Sequence, residues 1–186
     1  MSYGDASLDH TILSTEKYKK IIAFDETTGV IKTEAGTTLD EVLQHVVPKG
    51  WFLYVTPGTK FVTVAGAVAA DVHGKNHHAE GSFCKYVKNI EMMMANGSIV
   101  ACGPNHNNHL FKTVCGGLGL SGVILTVEFR LKKIGSSYIR QKNVIIRNLN
   151  EMMTRLKEFE AATYSVAWID CMASGDNLGR GVLMLG

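Results

Sequence analysis

Apolar positions along residues 20–36 come in two short runs on either side of Thr27–Thr28–Gly29, the pattern of a β-hairpin. Leu39, Val42, Leu43 and Val46 then repeat at helical spacing. Thr38 and Glu41 precede and open that run as a capping box, in which hydroxyl and carboxylate satisfy orphan N–H groups reciprocally. Pro48 and Gly50 end the helix. WFLYV reads as a strand cut off by a turn at TPGT, and VTVAGAVAAD as a helix of small residues. ADVHGKNHHAEGSF reads as a loop. KNIEMMMANGSIVACG is a second hairpin turning at Asn96–Gly97, with the Met92–Met94 stripe in the core. NNHLFKTV is a short helix, CGGLGLSG a glycine-rich loop, and VILTVEFRLKKI a long alternating strand.

Gly135–Ser137 reads as a boundary. Beyond it the pattern predicts a strand in YIRQKNVIIR, a helix capped at Asn148, and strands in YSVAWIDCM and RGVLML. Two hairpins with irregularly alternating helices predict an α+β fold with a mainly antiparallel sheet, not a doubly wound parallel one. Gly117, Gly119 and Gly122 have dinucleotide-fingerprint spacing, but they follow a helix and precede a strand, the reverse of the Rossmann order. The expected division is residues 1–134 as one domain and 135–186 as the beginning of a second, the whole being a piece of a longer protein.

Composition changes this picture little. The 186 residues are 46 % hydrophobic and 19 % charged, with a net charge of +2, an ordinary globular balance. No basic stripe of the kind that binds nucleic acid is present. No run is apolar for long enough to cross a membrane, and no signal peptide opens the chain. Cys84, Cys102, Cys115 and Cys171 form no CxxC pair, so they read as buried thiols in a reducing compartment.

The candidate chemistry sits in three segments. His73 and His77 in HGKNHH are four apart, a zinc spacing on a helix. However, Gly74 and Asn76 are poor helix formers, and Lys75 puts a cation where a metal would lie. A pocket for an anionic or polyol ligand, and a plain solvated loop, are the other readings. In TPGTKFVTVAGAVAAD a turn leads into a small-residue helix. Backbone donors at Gly58, Thr59, Thr63 and Ala65–Gly66 would suit a pyrophosphate; close helix–sheet packing explains the same residues. GGLGLSG is a third backbone-rich loop, and Trp168 reads as core or as pocket wall.

In order along the chain, SYGD, PGT, VTVAGAVAADVHGKNHH, GSF, GGLGLSGVI and SVAW resemble flavoenzymes with an FAD domain of the vanillyl-alcohol oxidase and p-cresol methylhydroxylase type. The resemblance covers nearly the whole chain, and VHGKNHH followed by GSF is its most specific part. It implies the second, mainly antiparallel part of the FAD-binding domain, followed by the start of a substrate or cap domain.

FAD is the implied cofactor, held non-covalently by Ser2, Tyr3, Gly4, Asp5, Gly58, Thr59, Thr63, Val64, Ala65, Gly66, His73, Gly122 and Val123. His73, Lys75 and Tyr3 are the implied catalytic groups. Tyr3, Lys75 and Trp168 are the implied substrate contacts, and no metal is expected. The implied reaction is oxidation of a secondary alcohol on a sugar, the 2′-hydroxyl of a polyprenyl-phosphate-linked ribose. An NAD(P)H-dependent keto-sugar reductase is the implied partner. The competing readings are a soluble polyol or aldonolactone oxidase and a non-catalytic, flavin-free fragment. The implied location is the cytoplasm, peripheral attachment to the inner membrane being left open.

The sequence departs from the family pattern in three places. Ala65–Gly66 stands where two glycines are usual. Met1 stands where a flavin-linking histidine would be, so no covalent bond is expected there. The glycine- and arginine-rich loop before SYGD is missing, so the 186 residues alone are expected to hold FAD weakly or not at all and to show no substantial sugar-oxidase turnover.

Overall fold

The computed structural model describes residues 13–186. These fall into two compact units. One takes in the described chain up to Gly74 together with Ser82–Gly135; the other comprises Lys75–Gly81 and Ser136–Gly186.

The first unit is built on a five-stranded antiparallel sheet of β1 (Ile21–Asp25), β2 (Val30–Glu34), β4 (Val87–Met93), β5 (Ile99–Cys102) and β6 (Val123–Arg130). Its order is β1-β2-β6-β4-β5. Both hairpins form as the apolar runs predict, and β6 inserts between them. Period-2 alternation gives the sheet one buried face. Ile31 pairs with Phe129, and Thr33 and Ile90 each face Val127 from the two sides of β6. All five are essentially inaccessible. The opposite face is polar: Thr126 donates to Glu91, whose carboxylate also meets Lys32 Nζ at 3.1 Å. Burying each large apolar side chain contributes about 1.5–3 kcal/mol.

Three helices, α1 (Leu39–Val46), α2 (Val64–Ala69) and α4 (Asn108–Val114), add to this core, as do Trp51, Leu53, Val55, Phe83 and Tyr86 from the connections. The capping box at α1 is complete. Glu41 N–H donates to Thr38 Oγ1 at 3.2 Å, and Thr38 N–H donates to Glu41 Oε2 at 2.9 Å. Leu39, Val42 and Val46 face inward. Pro48 lies in the 3₁₀ turn that follows, and Gly50, at φ 78°, closes it.

Several segments are less regular than their patterns predict. In WFLYV only Trp51–Phe52 (β3) is a strand, paired with Lys132–Lys133 (β7). Leu53 and Val55 are buried without a ladder partner, since burial of alternate residues needs an extended chain but not a sheet neighbour. The long strand over 123–134 breaks at Leu131, between β6 and β7. The His-rich segment, expected as a loop, contains a helical turn, α3 (His77–Glu80).

The cysteines also need correction. Cys84 and Cys115 form a disulfide with Cα atoms 6.1 Å apart, while Cys102 is a buried thiol and Cys171 an exposed one. A pair 31 residues apart leaves no local spacing signal.

In the second unit β8 (Lys142–Ile146), β9 (Ser165–Ile169) and β10 (Gly181–Leu185) form an antiparallel sheet in the order β8-β10-β9. The helix α5 (Leu149–Glu158) supplies Met152, which packs with Ile146, Leu183 and Leu185; Leu156 and Phe159 border them. Asn148 caps α5 by accepting from Glu151 N–H at 3.0 Å. The 75–81 segment is tied into this unit. Ser165 N–H donates to Lys75 O at 2.9 Å, and His78 Nε2 donates to Ala162 O at 2.8 Å.

Candidate cofactor site

The helix α2 is the hub of the first unit's loops. Thr63 caps it by accepting from Gly66 N–H at 3.1 Å. Val64 N–H donates to Thr37 O at 2.7 Å and Ala65 N–H to Ala35 O at 3.0 Å, which binds the helix start to the β2–α1 connection. At the other end, Gly116 N–H donates to Val68 O and Leu118 N–H to Ala69 O, which stitches the glycine-rich loop onto the helix. Asp71 follows with φ 40°. Its carboxylate accepts from Ser82 Oγ and Cys84 N–H, each at 2.9 Å. The His-rich excursion is thereby closed at its neck, where His73 bridges to Ser82 and Phe83 N–H donates to Val72 O.

This geometry corrects part of the donor assignment. The N–H groups of Val64, Ala65 and Gly66 all donate within the chain, so they are not free phosphate donors. Gly58, Ala70, Val72 and His73, with Pro57, line a cleft of about 230 Å³. Among the described residues, a Cβ built on Gly58 meets nothing within 4 Å, and one on Gly66 meets only Thr63 Oγ1 at 3.1 Å. Neither glycine has a positive φ. A glycine inside a helix costs about 1 kcal/mol against alanine, and among the described residues only the Thr63 Oγ1 cap stands close to a side chain at Gly66. Gly58 and Ala70 give the cleft small-residue walls, and Gly66, on α2 one turn before Ala70, is exposed, a lining that fits a ligand lying against the backbone. The cleft takes part of a cofactor of FAD's size, since pockets for drug-sized ligands run to about 300–1,000 Å³.

Gly122 is a glycine for an internal reason. Its φ is 146°, and a Cβ there would lie 2.6 Å from Met93 O and 2.8 Å from Met92 Cε. It presses the end of the glycine-rich loop against β4 and sets Val123 as the first residue of β6, paired with Met93.

The other predicted residues are spread more widely. Thr59 Oγ1 accepts from Phe61 N–H in the turn before α2. His73 is exposed on the first unit's cleft, whereas Lys75 belongs to the second unit. There Lys75 lines a cleft of about 210 Å³ with Gln141, Tyr164, Ser165 and Met184. Trp168, opposite Val182 on β9, is 64 % exposed, which excludes a core role within its unit. Ser2, Tyr3, Gly4 and Asp5 lie outside the described residues. Among the described residues, no three His, Cys, Asp or Glu side chains gather as a metal site. Asp71 and the Cys84–Cys115 pair escaped the sequence reading; the one local hint was a lone acid ending a small-residue helix.

Residues 1–103 match the model of the FAD binding domain family. The chain belongs to that family, and its cofactor is FAD. Over its whole length it is 32 % identical to decaprenylphosphoryl-β-D-ribose oxidase of Mycolicibacterium smegmatis, of which it covers 41 %. A Streptomyces coelicolor protein described as uncharacterized, in the mprA 5′ region, is 37 % identical over 79 % of this chain and 40 % of its own. A putative D-arabinono-1,4-lactone oxidase of Neurospora crassa is 24 % identical over 64 % of this chain and 21 % of its own. The chain thus spans about two fifths of the first two relatives. Among the described residues, no helix is long and apolar enough to cross a membrane.

Proposed function

We propose that the whole protein oxidises a secondary alcohol on a sugar, with the 2′-hydroxyl of a polyprenyl-phosphate-linked ribose as the substrate group. The observation that carries this reading is the 32 % identity to a decaprenylphosphoryl-ribose oxidase over all of the chain. Bound FAD takes up the hydride in such a reaction. The residues' part is to hold the carbinol carbon in line with the cofactor and to manage the hydroxyl proton. Gly58, Gly66 and Ala70 form the cofactor's resting surface, with Thr59, Thr63, Val64, Ala65, Gly122 and Val123 around it. His73 accepts the hydroxyl proton, and Lys75 and Trp168 contact the sugar side. Ser2, Tyr3, Gly4 and Asp5 complete the pocket, Tyr3 bordering the substrate. Residues 1–134 act as the FAD-binding domain and 135–186 as the beginning of the substrate domain. A keto-sugar reductase consumes the product.

The test is substrate-dependent dye reduction by the whole protein with a polyprenyl-phosphoribose. Turnover that falls at least a hundredfold in His73→Asn, with FAD still bound, supports the reading. Turnover unchanged in that variant removes His73 from the chemistry. The likeness to a putative lactone oxidase favours a second reading, a soluble polyol or aldonolactone oxidase. Oxygen consumption with a free aldonolactone, and no turnover of the lipid-linked sugar, would establish that reading instead.

A further inference from the structure

A cleft of about 220 Å³ in the first unit lies between Lys85, Tyr86, Val87, Lys88, Pro104, Asn105 and Arg130. Three cations from three elements converge on it. Lys85 comes from the 3₁₀ turn Phe83–Tyr86, Lys88 from the start of β4, and Arg130 from the end of β6. The register slips between Val87 and Asn89, so Lys88 is the bulged residue, and bulges re-aim side chains.

The opposite wall is held rigidly. Gly103 and His106 bond each other's backbones, Asn107 Nδ2 donates to Ala101 O at 2.7 Å, and Asn108 Nδ2 donates to Pro104 O at 2.9 Å. A Cβ on Gly103 would fall 2.5 Å from Lys88 O, so this turn sits directly on the bulge.

The charges are unbalanced. Lys88 meets Glu128 only at 3.9 Å. Among the described residues neither Lys85 nor Arg130 has a carboxylate partner; the Lys85 ammonium lies 5.6 Å from the Tyr86 ring. Gathering like charges is unfavourable, and an anion in the cleft relieves it. A guanidinium fork beside two ammonium groups suits a phosphate, which Arg binds in bidentate fashion. The cleft lies at the far end of β6 from Gly122–Val123. Seven residue steps of about 3.3 Å separate Arg130 from Val123, about 23 Å along the strand, so the cleft is distinct from the glycine-loop end of the cofactor surface.

We propose that this cleft is a second anion site, for a phosphate group, separate from the FAD phosphates. The group comes from a soluble phosphorylated molecule or from an anionic lipid headgroup, and the experiment distinguishes the two. The FAD-saturated protein is titrated with inorganic phosphate while backbone amide shifts are followed. In parallel it is sedimented with phosphatidylglycerol and with phosphatidylcholine vesicles.

Saturable shifts around Gly103–Asn105 and Arg130, weakened at least tenfold in Lys85→Gln/Arg130→Gln with FAD occupancy unchanged, support the site. Sedimentation with phosphatidylglycerol alone, lost in the double variant, assigns the headgroup source. Binding of phosphate without vesicles assigns the soluble one. No saturable binding of either probe, binding unchanged in the variant, or shifts confined to residues 57–73 would overturn the proposal.

Discussion

The amide of Cys84 donates to Oδ1 of Asp71 across 2.9 Å, and this bond holds shut the neck from which the His-rich excursion leaves the first unit. Asp71 also accepts from Ser82 Oγ and sits at φ 40°, where asparagine and aspartate are better tolerated than most residues. Asp71→Ala removes both acceptors and places alanine in the left-handed region. Together these cost about 2–4 kcal/mol, whereas Asp71→Asn keeps an acceptor and costs about 1 kcal/mol. Urea denaturation of the two variants checks the order; equal losses would show that the carboxylate does not close the neck.

The thiols give a direct count. In the 186-residue chain without reductant, one thiol, Cys171, reacts in the native state, since it alone is free and exposed. Denaturant adds Cys102, and only reduction adds Cys84 and Cys115. Burial also pushes the Cys102 thiol above its ordinary pKa, which slows its reaction further. Four thiols reacting in denaturant before reduction would rule out the Cys84–Cys115 bond.

Two glycines are expected to fail in different ways. Gly122→Ala puts a Cβ against Met93 O at φ 146°, which costs about 1–3 kcal/mol in strain and more through the clash. Gly66→Val leaves the fold within about 1 kcal/mol of wild type, because valine's better helix propensity offsets the one close contact its Cβ meets among the described residues, Thr63 Oγ1 at 3.1 Å. In the whole protein, however, it should lower flavin occupancy at least tenfold. Circular dichroism and flavin absorbance after purification separate the two effects; full occupancy in Gly66→Val would remove Gly66 from the cofactor surface.

Glu91 makes stability depend on pH. Its hydrogen bond from Thr126, then its contact with Lys32, hold its carboxyl below the usual range. A depressed folded pKa contributes stability that is fully present above the unfolded value, about 4.3, and is lost as pH falls through the folded one. The pair is about a third exposed, so solvent screening keeps its worth to about 1 kcal/mol or less. Glu91→Gln should be less stable than wild type at pH 7, and the difference should shrink as pH falls below about 4.3 and through the lowered folded pKa. A constant difference across that range in urea titrations would contradict this assignment.

Local patterns in the sequence were enough to place nearly every helix and both hairpins. The Thr38–Glu41 capping box, the Asn148 cap and the Asn96–Gly97 turn are written within a few residues, because the bonds they make are short-range. Their physical cause is complete before the chain folds, and so it is legible beforehand. The antiparallel α+β class followed from the same local signals, and the family from the order of a few short motifs.

Tertiary structure decided what depends on distant partners. Only the fold places β6 between two hairpins, brings Cys84 to Cys115, and spends the amides of Val64 and Ala65 on Thr37 and Ala35. It also puts His73 in one compact unit and Lys75, two residues on, in another. No spacing along the chain encodes these choices, because each is made by residues far apart in sequence competing for the same buried bonds and the same core.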